Sequence, residues 1–198
     1  MSEKLSRSID TADTSTPKHW RFTADQYQRM GEVGIFRKED RVELLEGEIY
    51  EMTPIGSWHG GSTDVLNMTF AGRLAGRAIV RVQGSFRMSP RSEPEPDLLL
   101  LRFRPDYYHS ALPGPKDVLL LVEVADASLG YDRDVKLPLY ARAGIPEFWI
   151  VNRSENQIEV YRQPAGDRYR SVTIHERGDT VSPLAFPDIS VQVADVLG

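Results

Sequence analysis

Asp97 stands immediately before the apolar run at residues 98–101, and Glu123 lies inside a second one, "DVLLLVEVA", at residues 117–125. A Val/Leu run without polar alternation is the pattern of a strand covered on both faces, where an isolated ionised carboxylate is very costly. Glu123 therefore needs a partner. If the two runs are neighbouring strands, two carboxylates meet at one end of a sheet, and their repulsion raises one pKa unless a cation lies between them. A hard divalent ion, Mg²⁺ or Mn²⁺, takes one or two carboxylates, waters and substrate phosphate oxygens, and would use Asp97 and Glu123 as ligands. Lys136 follows near the start of the next helix, which can aim its ammonium at the same place. Two carboxylates, a lysine and a metal-activated water are the parts needed for phosphodiester hydrolysis.

The elements that must position these groups follow from pattern. "TADQYQRM" opens with Thr23 and Gln26 at capping-box spacing, which predicts a short helix ending near Gly31 or Gly34. "RVELLEGEIYEM" reads as two strands around a tight turn at Glu46-Gly47. "TPIGSWHGGS" reads as a Gly/Pro-rich loop, followed by an amphipathic helix over residues 62–78 with Arg73 and Arg77 on its polar face. "AIVRVQGSFRMS" alternates like a half-buried strand and precedes the two apolar runs. "YDRDVKLPLYARAGIPEFWIVN" gives a helix stopped by Gly144 and Pro146, with Pro138 early in it or kinking it, and then a strand through Trp149. "QIEVYRQ" and "RYRSVTIHE" add hairpin strands. Helices interleaved with strands make this an α/β chain, a mixed β-sheet flanked by helices.

With 198 residues the chain has the length of one domain. Residues 1–17, polar and rich in Ser and Thr, are expected to be a disordered arm, with a single domain over 18–198. The absence of cysteine excludes a disulfide framework, a thiolate metal site and a cysteine nucleophile. No signal-peptide core and no membrane-length apolar run is present, so a cytoplasmic protein without membrane partners is expected. The formal net charge of −5 argues against coating nucleic acid by bulk electrostatics. Arg73, Arg77, Arg81, Arg87 and Arg91 would supply phosphate contacts if they share a face, and are otherwise solvated surface charge.

Pro96-Asp97, "VEVADAS", "YDRDVKLPLYARAGIPEFWIV" and "ELLEGEIYEM" followed by His59 together resemble the Uma-two family of putative restriction endonucleases, within the PD-(D/E)XK nuclease superfamily. The resemblance spans roughly residues 23–195. It implies a restriction-endonuclease-like core with extra β-hairpin strands, and a Mg²⁺-dependent endonuclease acting on DNA, often as a homodimer. It also implies that Glu43 is the acidic residue of the opening segment, bound to the metal or its water. The superfamily's usual lysine position, two residues after the second acid, is Ala125 here, and the family resembled is thought to move the lysine to the following helix, which Lys136 fits.

Other readings stay open. The acidic net charge and Ala125 favour a nuclease-fold binding or regulatory module without turnover, and another phosphorylated or carboxylated substrate would suit the same metal chemistry. Locally, Glu123 can be a buried ion pair without catalytic role, and Lys136 can pair with Asp132 at i,i+4 on a helix surface for about 0.2 to 0.5 kcal/mol. His59 is either an accessory base or phosphate contact, or a histidine capping its own helix. Glu43, Glu46, Glu48 and Glu51 can be the wet side of an edge strand, and Tyr140 and Trp149 fit apolar packing.

Overall fold

Six strands form the central sheet of the computed structural model, which describes residues 18–37 and 39–198. The expected N-terminal arm at 1–17 lies outside the described residues. In chain order the first elements are α1 (Ala24–Glu32), the hairpin β1 (Val42–Leu45) and β2 (Glu48–Glu51), and α2 (Ser57–Leu74). The sheet comprises β3 (Ala78–Val82), β4 (Leu98–Arg102), β5 (Val118–Ala125), β6 (Glu147–Asn152), β7 (Gln157–Ala165) and β8 (Arg168–Glu176), in that spatial order. A small pair, β9 (Thr180–Val181) and β10 (Val191–Gln192), leads into α5 (Val193–Leu197). Every neighbouring pair in the sheet is antiparallel except β5 and β6.

A parallel pair cannot be joined by a hairpin, so the chain crosses over between β5 and β6 through a helical segment. That segment is α3 (Leu129–Tyr131), a π turn (Asp132–Lys136) and α4 (Leu137–Arg142). The π turn lies directly ahead of Pro138, which has no N–H to close a regular α turn onto the carbonyl four residues back. Gly144, at φ 74°, ends α4 in the left-handed conformation and turns the chain into β6.

Side-chain alternation splits the core in two. Leu98, Leu100, Val122, Val124 and Trp149 pack with Leu66, Phe70 and Leu74 of α2. Leu99, Leu121, Ala125, Phe148 and Ile150 pack on the opposite face with Leu139 and Tyr140 of α4. Trp149 thus lies in the core, as its pattern suggests.

Local signals explain the first elements. The capping box of α1 is formed: Thr23 Oγ1 accepts from Gln26 N at 3.2 Å, and Gln26 Oε1 accepts from Thr23 N at 2.9 Å. Thr23→Ala is expected to lower the unfolding free energy by about 1 kcal/mol, read from urea titration. The β1–β2 turn holds Glu46 and Gly47 at φ 49° and 83°, the left-handed pair of a two-residue hairpin. A Cβ on Gly47 would lie 2.8 Å from that of Arg21, so the close approach of residues 21–22 also requires glycine. α2 differs from its expected span: it begins at Ser57 and ends at Leu74, so Trp58, His59, Gly60 and Gly61 are helical. Its buried positions Ser62, Leu66, Phe70 and Leu74 recur every four residues, and this stripe holds a helix that contains three glycines, Gly60, Gly61 and Gly72. Among the described residues, no helix is long and apolar enough to cross a membrane.

Candidate active site

The register of β4 against β5 pairs Leu98 with Val122, which places Asp97 one step beyond, opposite Glu123. Both are odd-numbered positions and project to the face that carries α4. Glu123 Oε1 accepts hydrogen bonds from Lys136 Nζ at 3.0 Å and from the Tyr140 hydroxyl at 2.7 Å. Glu43 comes from β1: its Oε1 lies 3.2 Å from Lys136 Nζ and accepts from the Tyr131 hydroxyl at 3.2 Å, and its Oε2 accepts from Glu95 N at 3.2 Å. Asp97 Oδ2 accepts from Val124 N at 2.7 Å, and Oδ1 lies 2.7 Å from His59 Nε2, supplied by the first turn of α2. Asp97, Glu123, Lys136, Glu43 and His59 all line one cavity of about 300 Å³.

A sixth ionisable group belongs to this cluster. Asp132, in the π turn, is buried, lines the same cavity and accepts from Ser128 Oγ at 2.7 Å through Oδ2. Burial pushes its carboxyl up to about 6, against the pull of Lys136 and Ser128 and with further lift from Asp97 and Glu43. Sequence pattern hides this residue, because Asp132 and Lys136 at i,i+4 look like a surface pair. In the fold Lys136 is 3% exposed and pairs with Glu123 and Glu43 instead. Tyr140 packs as expected, against Phe86 and Phe148, but its hydroxyl also serves Glu123, and Tyr131 serves Glu43.

The charges oppose one another. Burial alone would lower the Lys136 ammonium, but Glu123, Glu43 and Asp132 outweigh it and hold the group well above the usual lysine range. Burial drives Glu123 upward while Lys136 pulls it down, and Asp132, Asp97 and Glu43 add to the upward push. These two tendencies conflict, because a neutral Glu123 would remove the main support of the ammonium. The contacts decide for the ion pair: two donors converge on a single oxygen of Glu123, an arrangement that favours the carboxylate.

Five carboxylates line the cavity, four of them buried and Glu51 exposed, against one lysine, one arginine and one histidine. Glu123 Oε2 and Asp132 Oδ1 accept no hydrogen bond among the described residues, and both residues line the cavity, so these side chains keep unengaged hard oxygen donors. Each oxygen of Asp97 accepts one bond and keeps a lone pair. This donor set fits a divalent ion of the Mg²⁺ type, which needs one or two carboxylates and completes its shell with water. It is not a ready-made cage: among the described residues no three His, Asp or Glu side chains are grouped closely enough to hold an ion by themselves. Ala125, at the superfamily's usual lysine position, is fully buried among apolar neighbours.

The arginines of the 73–91 stretch do not converge on this cavity. Arg77 forks onto Asp188, Arg87 bridges Asp25 and Glu93, Arg73 donates to the Ser190 carbonyl, and Arg81 lies over the Tyr108 ring. Arg41 does line it, a residue that sequence pattern does not single out because it precedes β1 without a motif of its own.

A crystal structure of a putative nuclease of the DUF820 family from Anabaena variabilis ATCC 29413 superposes with a TM-score of 0.67 at 14% identity, covering 89% of this chain and 97% of that one. At that identity the likeness is one of fold, and it extends over nearly the whole of both chains. No curated protein matches the chain. The family model of Uma2, described as putative restriction endonuclease, matches residues 24–194 and so takes in every acid and the lysine of the cavity. The chain belongs to the Uma2 family of putative restriction endonucleases.

Proposed function

We propose that this protein is a divalent-metal-dependent endonuclease that hydrolyses DNA phosphodiester bonds, with Asp97 and Glu123 as the residues that would hold Mg²⁺ or Mn²⁺. The observation that carries this reading is the convergence of Asp97 ahead of β4, Glu123 of β5, Glu43 of the hairpin and Lys136 of the crossover segment on one cavity with an excess of negative charge. When bound, the cation would supply an acidified water and offset charge on the phosphoryl oxygens.

The chain's own groups then have separable roles. Lys136, held protonated by its carboxylates, acts as a fixed positive charge that orients the attacking oxygen, and not as a proton acceptor. Tyr140 and Tyr131 lock the rotamers of Glu123 and Glu43, which leaves Glu123 Oε2 without a hydrogen-bond donor and available to a cation. His59, engaged at Nε2, positions Asp97 together with the Val124 amide. Glu43 serves as the outer acid, within reach of a water in the cavity. A two-fold dimer would present two such cavities to the two strands of a duplex.

The charge pairing favours a second reading, a binding or regulatory module without turnover: Lys136 already neutralises Glu123, and among the described residues no three-ligand group is preassembled. Calorimetric titration of Mg²⁺ and of Mn²⁺ into the wild type and Asp97→Ala, with plasmid cleavage on the same samples, separates the two. We expect saturable metal binding in the wild type, its loss in the variant, and at least about a hundredfold loss of cleavage. Metal binding without cleavage of DNA points to another substrate, and no metal binding supports the module.

A further inference from the structure

We infer that Arg41 is the phosphate-binding residue of this site, taking a backbone phosphate of the bound nucleic acid at the cavity wall. This deepens the nuclease reading above and rests on it. Among the described residues two permanent cations line the cavity, Arg41 and Lys136. Lys136 is shut between Glu123 and Glu43 and has little reach beyond them. An anionic substrate approaching five carboxylates therefore needs Arg41.

Its placement suits that task. Arg41 is two residues before Glu43 along an extended segment, so the two side chains share a side. The Arg41 side chain is 28% exposed and its guanidinium loosely held: it donates to the Thr53 carbonyl at 3.3 Å and to Glu95 Oε1 at 3.4 Å. Among the described residues, its other N–H donors have no acceptor, which leaves most of a planar five-donor fork for a phosphate. The arginines that could have competed for this work are tied elsewhere in the molecule. One partly engaged guanidinium at the cavity, among the described residues, implies a contact that positions the strand without reading its sequence.

The plainer account is that Arg41 exists to neutralise Glu95, and Glu95→Gln tests it by breaking that pair while keeping the guanidinium. Binding of a short fluorescein-labelled DNA duplex is followed by anisotropy, with Ca²⁺ in place of Mg²⁺, across about 50 to 200 mM KCl. Arg41→Ala is expected to bind about tenfold more weakly, with the slope of log K against log salt reduced by about 1, irrespective of sequence. Arg41→Lys should recover part of the affinity, and Glu95→Gln should match the wild type or bind more tightly. Thermal melting confirms that each variant is folded. Wild-type affinity and slope in Arg41→Ala, or a loss in Glu95→Gln equal to that in Arg41→Ala, overturns the inference alone. A wild type that neither binds nor cleaves DNA removes the nuclease reading and this inference with it.

Discussion

Lys136→Met is expected to lower the unfolding free energy by about 3 to 5 kcal/mol at pH 8, the range found when one partner of a buried ion pair is removed. Methionine nearly matches the lysine stem in length, so the loss is chiefly electrostatic. Glu123 and Glu43, both buried, would lose the ammonium at 3.0 and 3.2 Å, and Asp132 and Asp97 would add their repulsion. The deficit should shrink as pH falls, because Glu123 and Asp132, already pushed upward by burial, take up protons and stop repelling. Coupling is equally diagnostic. Adding Glu123→Gln to Lys136→Met should recover part of the loss, since the amide oxygen still accepts from Tyr140 without a buried charge. A loss below about 1 kcal/mol at pH 8, unchanged at pH 5, would mean that the carboxylates are not relying on Lys136.

Asp132→Asn is expected to act in the opposite direction. An aspartate held at about 6 in the fold, against an ordinary 3.8, binds its proton more tightly when folded than when unfolded. Its ionisation therefore costs nothing below the unfolded value, costs progressively more as pH rises from about 4 to 6, and carries its full cost above that. The shift corresponds to about 3 kcal/mol. With chelator present, the asparagine variant should be more stable than the wild type by up to that amount at pH 7 to 8, and equal to it near pH 4. The amide oxygen can still accept from Ser128. Denaturant midpoints across this range measure the difference, and a variant less stable than the wild type at pH 8 would show that Asp132 does structural work the carboxylate alone performs. Stability gained by removing an acid from a cavity is the usual sign that the acid is kept for function.

The parts of the fold legible in the sequence were those governed by neighbours along the chain. The capping box at Thr23, the turn at Glu46-Gly47, the apolar strands and the Gly144 stop each follow from a few adjacent residues, and all are present. The start of α2 was not legible, because Pro54, Gly56, Gly60 and Gly61 read as loop until burial of Ser62, Leu66 and Phe70 is known. Within the candidate site, a charged residue in an apolar strand announced Glu123, and the strand register brought Asp97 to its side. Asp132 was hidden by a spacing that normally means solvent, and Tyr140 by an aromatic ring whose packing masks what its hydroxyl does. Arg41 has no pattern at all, since only the closed hairpin brings it to the cavity.

The π turn ahead of α4 sets the angular phase of everything after it. One extra residue in a helix advances the following side chains by about 100°, as 3.6 residues make a turn. Lys136 and Tyr140 emerge from this offset on a common azimuth and reach the same oxygen of Glu123, while Asp132, on the near side, is rotated toward Ser128. Deleting Asp134 or Val135 from the turn would leave every site side chain in the protein, and is expected to swing the lysine and tyrosine off that azimuth. The geometry of the candidate site thus depends on the number of residues in the turn as much as on the identity of any acid.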